Sequence, residues 1–170
     1  TLRYGVSEAA QSAGPDGVFK WALEQMSDVN GNRIAFGYTK DRGQLYISKI
    51  EYNLRPGAAN NEVRFDWEAR PDALTDNRAG YPITTGRRLK RVLMFGAGKQ
   101  VRRYELHYDP ASSLSRLKSV TMFGSDDKTS LPPITFGYTI FSPGTQPVTM
   151  VGAGPATSLR DRNTDLVDMD

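Results

Sequence analysis

Residues 28–52 read DVNGNRIAFGYTKDRGQLYISKIEY, and the order of residues in this stretch decides the fold class. The Asn30-Gly31 pair leads into a run in which Ile34, Phe36 and Tyr38 alternate with Arg33, Ala35 and Gly37. A polar turn containing Asp41 and Gly43 then leads into a second run, Leu45 to Tyr52. Successive side chains of a strand face opposite sides of a sheet, so period-two alternation broken by Gly, Asn and Asp is the pattern of an antiparallel hairpin. Val63, Phe65 and Trp67 alternate with Arg64, Asp66 and Glu68 in the same way and predict another half-buried strand.

Two sequence types recur outward from this hairpin. Ile47-x-x-Ile50-x-Tyr52, Leu89-x-x-Val92-x-Met94 and Leu117-x-x-Val120-x-Met122 share one spacing, and RLKRVLMFG nearly repeats as RLKSVTMFG. In the second type aromatics end a strand: Phe36-Gly37-Tyr38, Tyr104 with Tyr108, and Phe136-Gly137-Tyr138. The types alternate, as in a meander where sequential strands pair. Their spacing is uneven, which makes the repeat degenerate and not a solenoid. The prediction is an all-β protein, an antiparallel meander of about ten strands packed as a sandwich or curled into a shell segment.

The expected core is Trp21, Ile34, Phe36, Tyr38, Ile50, Tyr52, Val63, Phe65, Trp67, Val92, Tyr104, Leu106, Val120, Ile134, Phe136 and Tyr138. Residues 1–18 read as a loop or frayed start and residues 19–141 as the antiparallel β domain. Within that domain residues 19–26 have the propensity of a short helix but read rather as a strand pairing forward across Asn30-Gly31, and residues 71–86 read as a long loop. Residues 142–170, rich in Pro, Gly, Thr and Ser, read as a linker.

Composition narrows the function classes. The chain has 170 residues, enough for one domain with its own core. Mean hydropathy is −0.51, and no apolar run approaches the length of a membrane helix. The absence of cysteine excludes disulfides, Cys-ligated zinc and thiol catalysis but leaves the compartment open. A net charge of +3 is too mild to argue for nucleic acid. The chain opens TLRYGVSEAA without an initiator Met or signal-peptide pattern and stops at LVDMD, so both ends read as cut from a longer polypeptide.

Several motifs imitate functional sites. VGAGPAT, residues 151–157, resembles the start of a dinucleotide fingerprint, but a proline-rich segment precedes it and Thr157 stands where Gly or Ala is needed. Gly96-Ala97-Gly98-Lys99-Gln100 imitates a phosphate loop, yet Leu93 replaces the first glycine and Gln100 the magnesium-binding hydroxyl, so it reads as a hairpin turn. His107 is the only histidine and faces away from the aromatics of its strand; no Gly-x-Ser-x-Gly elbow accompanies it, which disfavours a β-rich hydrolase.

The basic run Arg87, Arg88, Lys90, Arg91, Lys99, Arg102 and Arg103 is a candidate patch for an anionic partner. As the polar faces of two strands it is more simply a set of solvated charges. Asp168-Met169-Asp170 has the start of a calcium loop, in which alternate acidic residues supply oxygens to a hard cation. With only Asp168 and Asp170 present the loop is truncated, and no cofactor is expected beyond calcium in a longer chain. Residues 28–32 are a poorer version and read as a turn. The residues alone therefore leave two readings: a structural β scaffold, or an extracellular binding module for glycan or an anionic surface.

DVNGNRIAFGY, GQLYISKIEYN, VRRYELHYDP followed by SSLSRLKSVTMFG, and LPPITFGY together resemble the Salmonella virulence plasmid B protein domain. That domain is also the N-terminal part of the B component of bacterial insecticidal Tc toxin complexes. RNTDLVDMD resembles the opening of the FG-GAP/VCBS-type repeat that follows it, and Tyr108-Asp109 and residues 38–43 are similar to RHS/YD repeats. The resemblance spans about residues 20–170. It implies a non-catalytic role: part of a β-rich shell that, with RHS repeats, encloses a toxic C-terminal enzyme. It also implies partners in the rest of the same polypeptide, the propeller and the RHS shell, and in the toxin-complex A and C components. Neither nucleic acid nor a membrane segment is implied, and the setting is secreted or at the bacterial cell surface. The ADP-ribosyltransferase of the plasmid protein lies in a separate domain and needs a Glu-x-Glu pair, which this chain lacks.

Overall fold

A computed structural model of the chain describes residues 1–54 and 61–139. Residues Thr1–Gly137 make one compact unit and Tyr138–Asp170 a second. The described part of the first unit is all-β. Its strands are β1 (Leu2–Tyr4), β2 (Gln11–Gly14), β3 (Gly17–Trp21), β4 (Leu23–Ser27), β5 (Arg33–Asp41), β6 (Gln44–Leu54), β7 (Asn61–Asp76), β8 (Ile83–Gly96), β9 (Lys99–Tyr108), β10 (Leu117–Phe123) and β11 (Ile134–Thr135). Nine of them form one antiparallel sheet in the order β1-β4-β5-β6-β7-β8-β9-β10-β11, and β2 and β3 form a separate hairpin.

From β4 onward the sheet is the expected meander. The Ile47, Leu89 and Leu117 motifs fall on β6, β8 and β10, while the aromatic-ending type falls on β5 and β9, so the alternation in sequence is an alternation of strands. Two tight turns set the register. Arg42 and Gly43 (φ 48° and 80°) close β5 onto β6, and Ala97 and Gly98 (φ 49° and 76°) close β8 onto β9. Successive left-handed residues give a turn whose twist matches its strands. The phosphate-loop look-alike is thus the β8–β9 turn.

Pairing is uneven, and this shapes the sheet. β5 and β6 stay paired to Asp41↔Gln44, and β7 and β8 to Asp76↔Ile83. Between these hairpins, β6 and β7 pair only from Tyr52↔Asn61 to Lys49↔Arg64. β4 and β5 likewise pair only from Ser27↔Arg33 to Gln25↔Ala35, and β8 and β9 from Gly96↔Lys99 to Arg91↔Glu105. The sheet is continuous at one end and forks into separate hairpins at the other.

At the forked end the β5–β6 tip leans onto β8: Thr84 N donates to Arg42 O at 2.9 Å, and the Arg87 guanidinium meets Asp41 at 2.9 Å. The β2–β3 hairpin joins there through Ser12, whose hydroxyl donates to Gly43 O at 2.8 Å and lies 2.9 Å from the Tyr81 hydroxyl. The buried apolar residues of the described chain, Ala10, Leu45 and Tyr46, lie at this junction.

Three expectations need correction. Residues 1–18 are not a loop: β1 pairs with β4, a 3₁₀ turn spans Glu8–Ala10, and β2 follows. The strand expected over residues 19–26 is two strands in different sheets, broken where Ala22 N turns to Ala10 O. Most of the loop expected over residues 71–86 belongs to β7 and β8. Pro71 sits where the register shifts between Ala69 and Leu74, a bulge that asks nothing of the missing N–H.

The predicted core is also only partly enclosed. Trp21, Ile134, Phe136 and Tyr138 are exposed, and the other predicted members are half-buried. A single layer of strands covers each side chain only with its neighbours on the same face.

Both edges of the sheet are guarded. β11 has two residues, preceded by Pro132 and Pro133, and its segment lies along β10 through Leu131 N to Met122 O and Phe136 N to Lys118 O. At the other edge β1 has three residues and a register shift between Arg3 and Tyr4. Short, bulged or proline-bearing edges resist further pairing.

Candidate functional site

Where β5–β6 parts from β7–β8, a cavity of about 560 Å³ opens, lined by Tyr38, Gln44, Leu45, Tyr46, Ile47, Trp67, Arg70, Thr85, Arg87, Arg88, Tyr108 and Ser115. Its aromatic rings are fixed by their polar tips. As neighbouring strands separate, backbone carbonyls lose their ladder partners, and a side chain from the next strand takes over at each fork. The Tyr38 hydroxyl donates to Leu23 O, Trp67 Nε1 to Ile47 O and the Tyr108 hydroxyl to Leu89 O, each at 2.7 Å. Burial raises the Tyr38 and Tyr108 hydroxyls above the ordinary phenol range, with Glu24 adding to the effect at Tyr38. The Tyr46 hydroxyl works in reverse, accepting the N–H groups of Gly86 at 2.9 Å and Arg87 at 3.2 Å. Trp67 meets Tyr46 edge to face with ring centres 4.9 Å apart.

Each fork tie is one hydrogen bond from a tyrosine hydroxyl to a strand carbonyl. Tyr38→Phe and Tyr108→Phe are each expected to lower stability by about 1 kcal/mol, and the double variant by about the sum because the forks are separate. Urea unfolding of the three variants measures this directly.

The cavity's cations are neutralised singly. Arg70 grips Asp72 with two hydrogen bonds of 2.9 and 2.7 Å, and Asp72 also accepts the backbone N–H and hydroxyl of Ser115. The loop after β9 is thereby clamped to β7. Arg88 donates to Glu68 at 2.7 Å and stacks 4.2 Å above the Tyr108 ring. Hydrogen bonds from Arg70, then Ser115, hold the Asp72 carboxyl far below the usual carboxylate range, and its side chain is only 7% exposed.

A lowered folded pKa stabilises fully above the unfolded value of about 4 and is lost progressively as pH falls below it. Asp72→Asn is therefore expected to destabilise the protein at neutral pH and to flatten the decline in stability below about pH 4. Thermal melts of both forms from neutral pH down to the acid limit of solubility check the sign.

The predicted basic run is not gathered into one free patch. Arg87 pairs with Asp41, Arg88 with Glu68, Arg91 with Asp66 at 2.9 Å, and Lys90 lies 3.9 Å from Glu68. Arg103 is buried between Glu105 and Asp127. Lys99 and Arg102 are exposed near the β8–β9 turn, Arg102 reaching the Tyr104 hydroxyl at 3.5 Å.

His107 is exposed on β9 opposite Ser119 and lines none of the described cavities, so the His–carboxylate–hydroxyl arrangement a hydrolase needs is not formed there. Residues 28–32 form the expected turn: Asp28 accepts the N–H groups of Asn30 and Asn32 and the Asn32 amide. No metal-type cluster of His, Cys, Asp or Glu occurs among the described residues. Asp168, Asp170 and the VGAGPAT segment lie outside the described residues.

No protein-family model and no curated protein matches the sequence. Solved structures do match. The TcdB2-TccC3 crystal structure aligns with 83% of this chain at a TM-score of 0.71 and 20% identity, and the Photorhabdus luminescens Tc holotoxin pore with 81% at the same score and identity. The N-terminal domain of the effector protein SpvB from Salmonella typhimurium aligns with 72% of this chain at a TM-score of 0.64 and 20% identity. The chain shares its fold with a part of the Tc toxin TcdB2-TccC3 structure and with the SpvB N-terminal domain. It spans 10% of the length of the TcdB2-TccC3 chain and 57% of that SpvB domain.

Sequence reading placed Tyr38 and Trp67 in the expected core and Tyr108 at a strand end, and singled out neither Tyr46 nor the Arg70–Asp72–Ser115 clamp. Arg70 and Asp72 carry a local signal, opposite charges two apart on one strand face. Ser115 carries none, being 43 residues further on.

Proposed function

We propose that this chain is a non-catalytic structural segment of a large toxin-complex-like bacterial protein, secreted or displayed at the cell surface. In this reading it contributes to the shell that carries or encloses a toxic C-terminal region. Its partners are other parts of its own polypeptide, an RHS shell and the propeller that residues 142–170 would open, and beyond them the A and C components of a toxin complex. The fold shared with Tc toxin structures and SpvB supports this setting.

The observation that carries the reading is burial. Of the described apolar residues only Ala10, Leu45 and Tyr46 are buried, while Leu2, Tyr4, Val6, Phe19, Trp21, Leu74, Val101, Leu131 and Ile134 are among the large ones left exposed. A domain of this length ordinarily encloses more of its apolar residues, and a segment of a larger shell would have them covered by its neighbours. The self-neutralised basic run favours this role over docking to an anionic surface.

Light scattering and binding of the dye ANS test the proposal. The isolated chain is expected to self-associate with rising concentration and to bind the dye, and both properties should diminish when neighbouring parent sequence is attached. A strictly monomeric, dye-indifferent chain would overturn the shell reading.

A further inference from the structure

Beyond a structural role, we infer that the fork cavity is a binding site for a neutral glycan. Three features of its walls specify the ligand. The first is rigid apolar surface: the Tyr38, Trp67 and Tyr108 rings are held by bonds from their polar tips to strand carbonyls. Arg88 covers one face of Tyr108, and the remaining ring surface meets a ligand at little cost in conformational entropy.

The second is electrical neutrality. Arg70, Arg87 and Arg88 are each matched by a carboxylate, Asp72, Asp41 and Glu68, so these side chains together carry no net charge to attract a charged ligand. The third is hydrogen-bonding capacity left over. The side chains of Gln44 and Thr85 line the cavity and have no hydrogen-bond partner among the described residues, and Arg87 uses only its Nε towards Asp41.

A volume of about 560 Å³ lies in the range of small-molecule sites, which are mostly apolar with a few placed polar groups. A pyranose ring meets all three conditions, with an apolar C–H face for the aromatic rings and neutral hydroxyls for amide, hydroxyl and guanidinium groups. A wholly apolar peptide side chain would use the rings but leave Gln44, Thr85 and Arg87 without a role.

Fluorescence titration tests the assignment. The chain has two tryptophans; Trp21→Phe removes the exposed one and leaves Trp67, in the cavity wall, as sole reporter. This variant is titrated into the millimolar range with cellohexaose, maltohexaose, xylohexaose and N-acetylchitohexaose, and with a sialylated oligosaccharide as a charged probe. Saturable change with at least one neutral sugar is expected, without response to the sialylated probe. Gln44→Ala combined with Thr85→Val, its fold verified by circular dichroism, is expected to weaken binding by about tenfold, the scale of one or two net hydrogen bonds. Absence of saturation with every neutral sugar, equal affinity in the double variant, or saturation by ANS alone overturns the inference, the last outcome favouring an apolar peptide.

Discussion

Tyr46→Ala is expected to lower the unfolding free energy by about 3–5 kcal/mol, the range for deleting a large buried ring. Tyr46 is 3% exposed, packs edge-on against Trp67, and its hydroxyl receives two N–H groups from β8. It is the residue through which the β5–β6 hairpin holds β8 across the fork. Tyr46→Phe separates the two contributions: the ring stays, the buried Gly86 N–H loses its acceptor, and about 1–3 kcal/mol should go. Urea unfolding followed by tryptophan fluorescence gives both values. If Tyr46→Ala unfolds at the same urea concentration as the parent, the β5–β6 tip does not rest on β8.

Arg103→Ala is the second large expected effect, about 2 kcal/mol. Arg103 is 9% exposed, with its guanidinium stacked 3.9 Å over Phe123 and bonded to Asp127 and Glu105 at 2.6 Å. Removing one partner of a buried ion pair costs about 3–5 kcal/mol when the other stays buried. Here Asp127 is 55% exposed and regains water, so the loss should fall below that range. Arg103→Lys should not restore it, because an ammonium cannot bond two carboxylates in a planar fork while stacking on a ring. Chemical denaturation of both variants decides; full rescue by Lys would mean that charge alone is at work.

The parts of this fold that were legible in the sequence are local. Gly43 and Gly98 mark their turns because few other residues accept a left-handed backbone, and the alternation over β5, β6 and the start of β7 follows from strand geometry. Long-range placement was not legible. Pro71 signals a break, yet a bulge absorbs it inside β7, and nothing local distinguishes a bulge from a loop. Trp21 looks like core by type, but it lies on a small hairpin with no second layer over it. At the cavity Tyr38 and Tyr108 stood out through their repeat and Trp67 through its alternation, whereas the roles of Tyr46 and of the Asp72–Ser115 clamp depend on the register of strands far apart in the chain.

The guarded edges carry a consequence for how the protein would fail. A sheet that stacks by its edges grows into fibrils with a repeat of about 4.7 Å along the fibril axis. With Pro132-Pro133 at one border and a three-residue, irregular β1 at the other, the nine-stranded sheet offers no long flat edge for that growth. Chains that stick together should therefore do so through their apolar faces, giving amorphous, thioflavin-negative clusters that dissolve on dilution rather than amyloid.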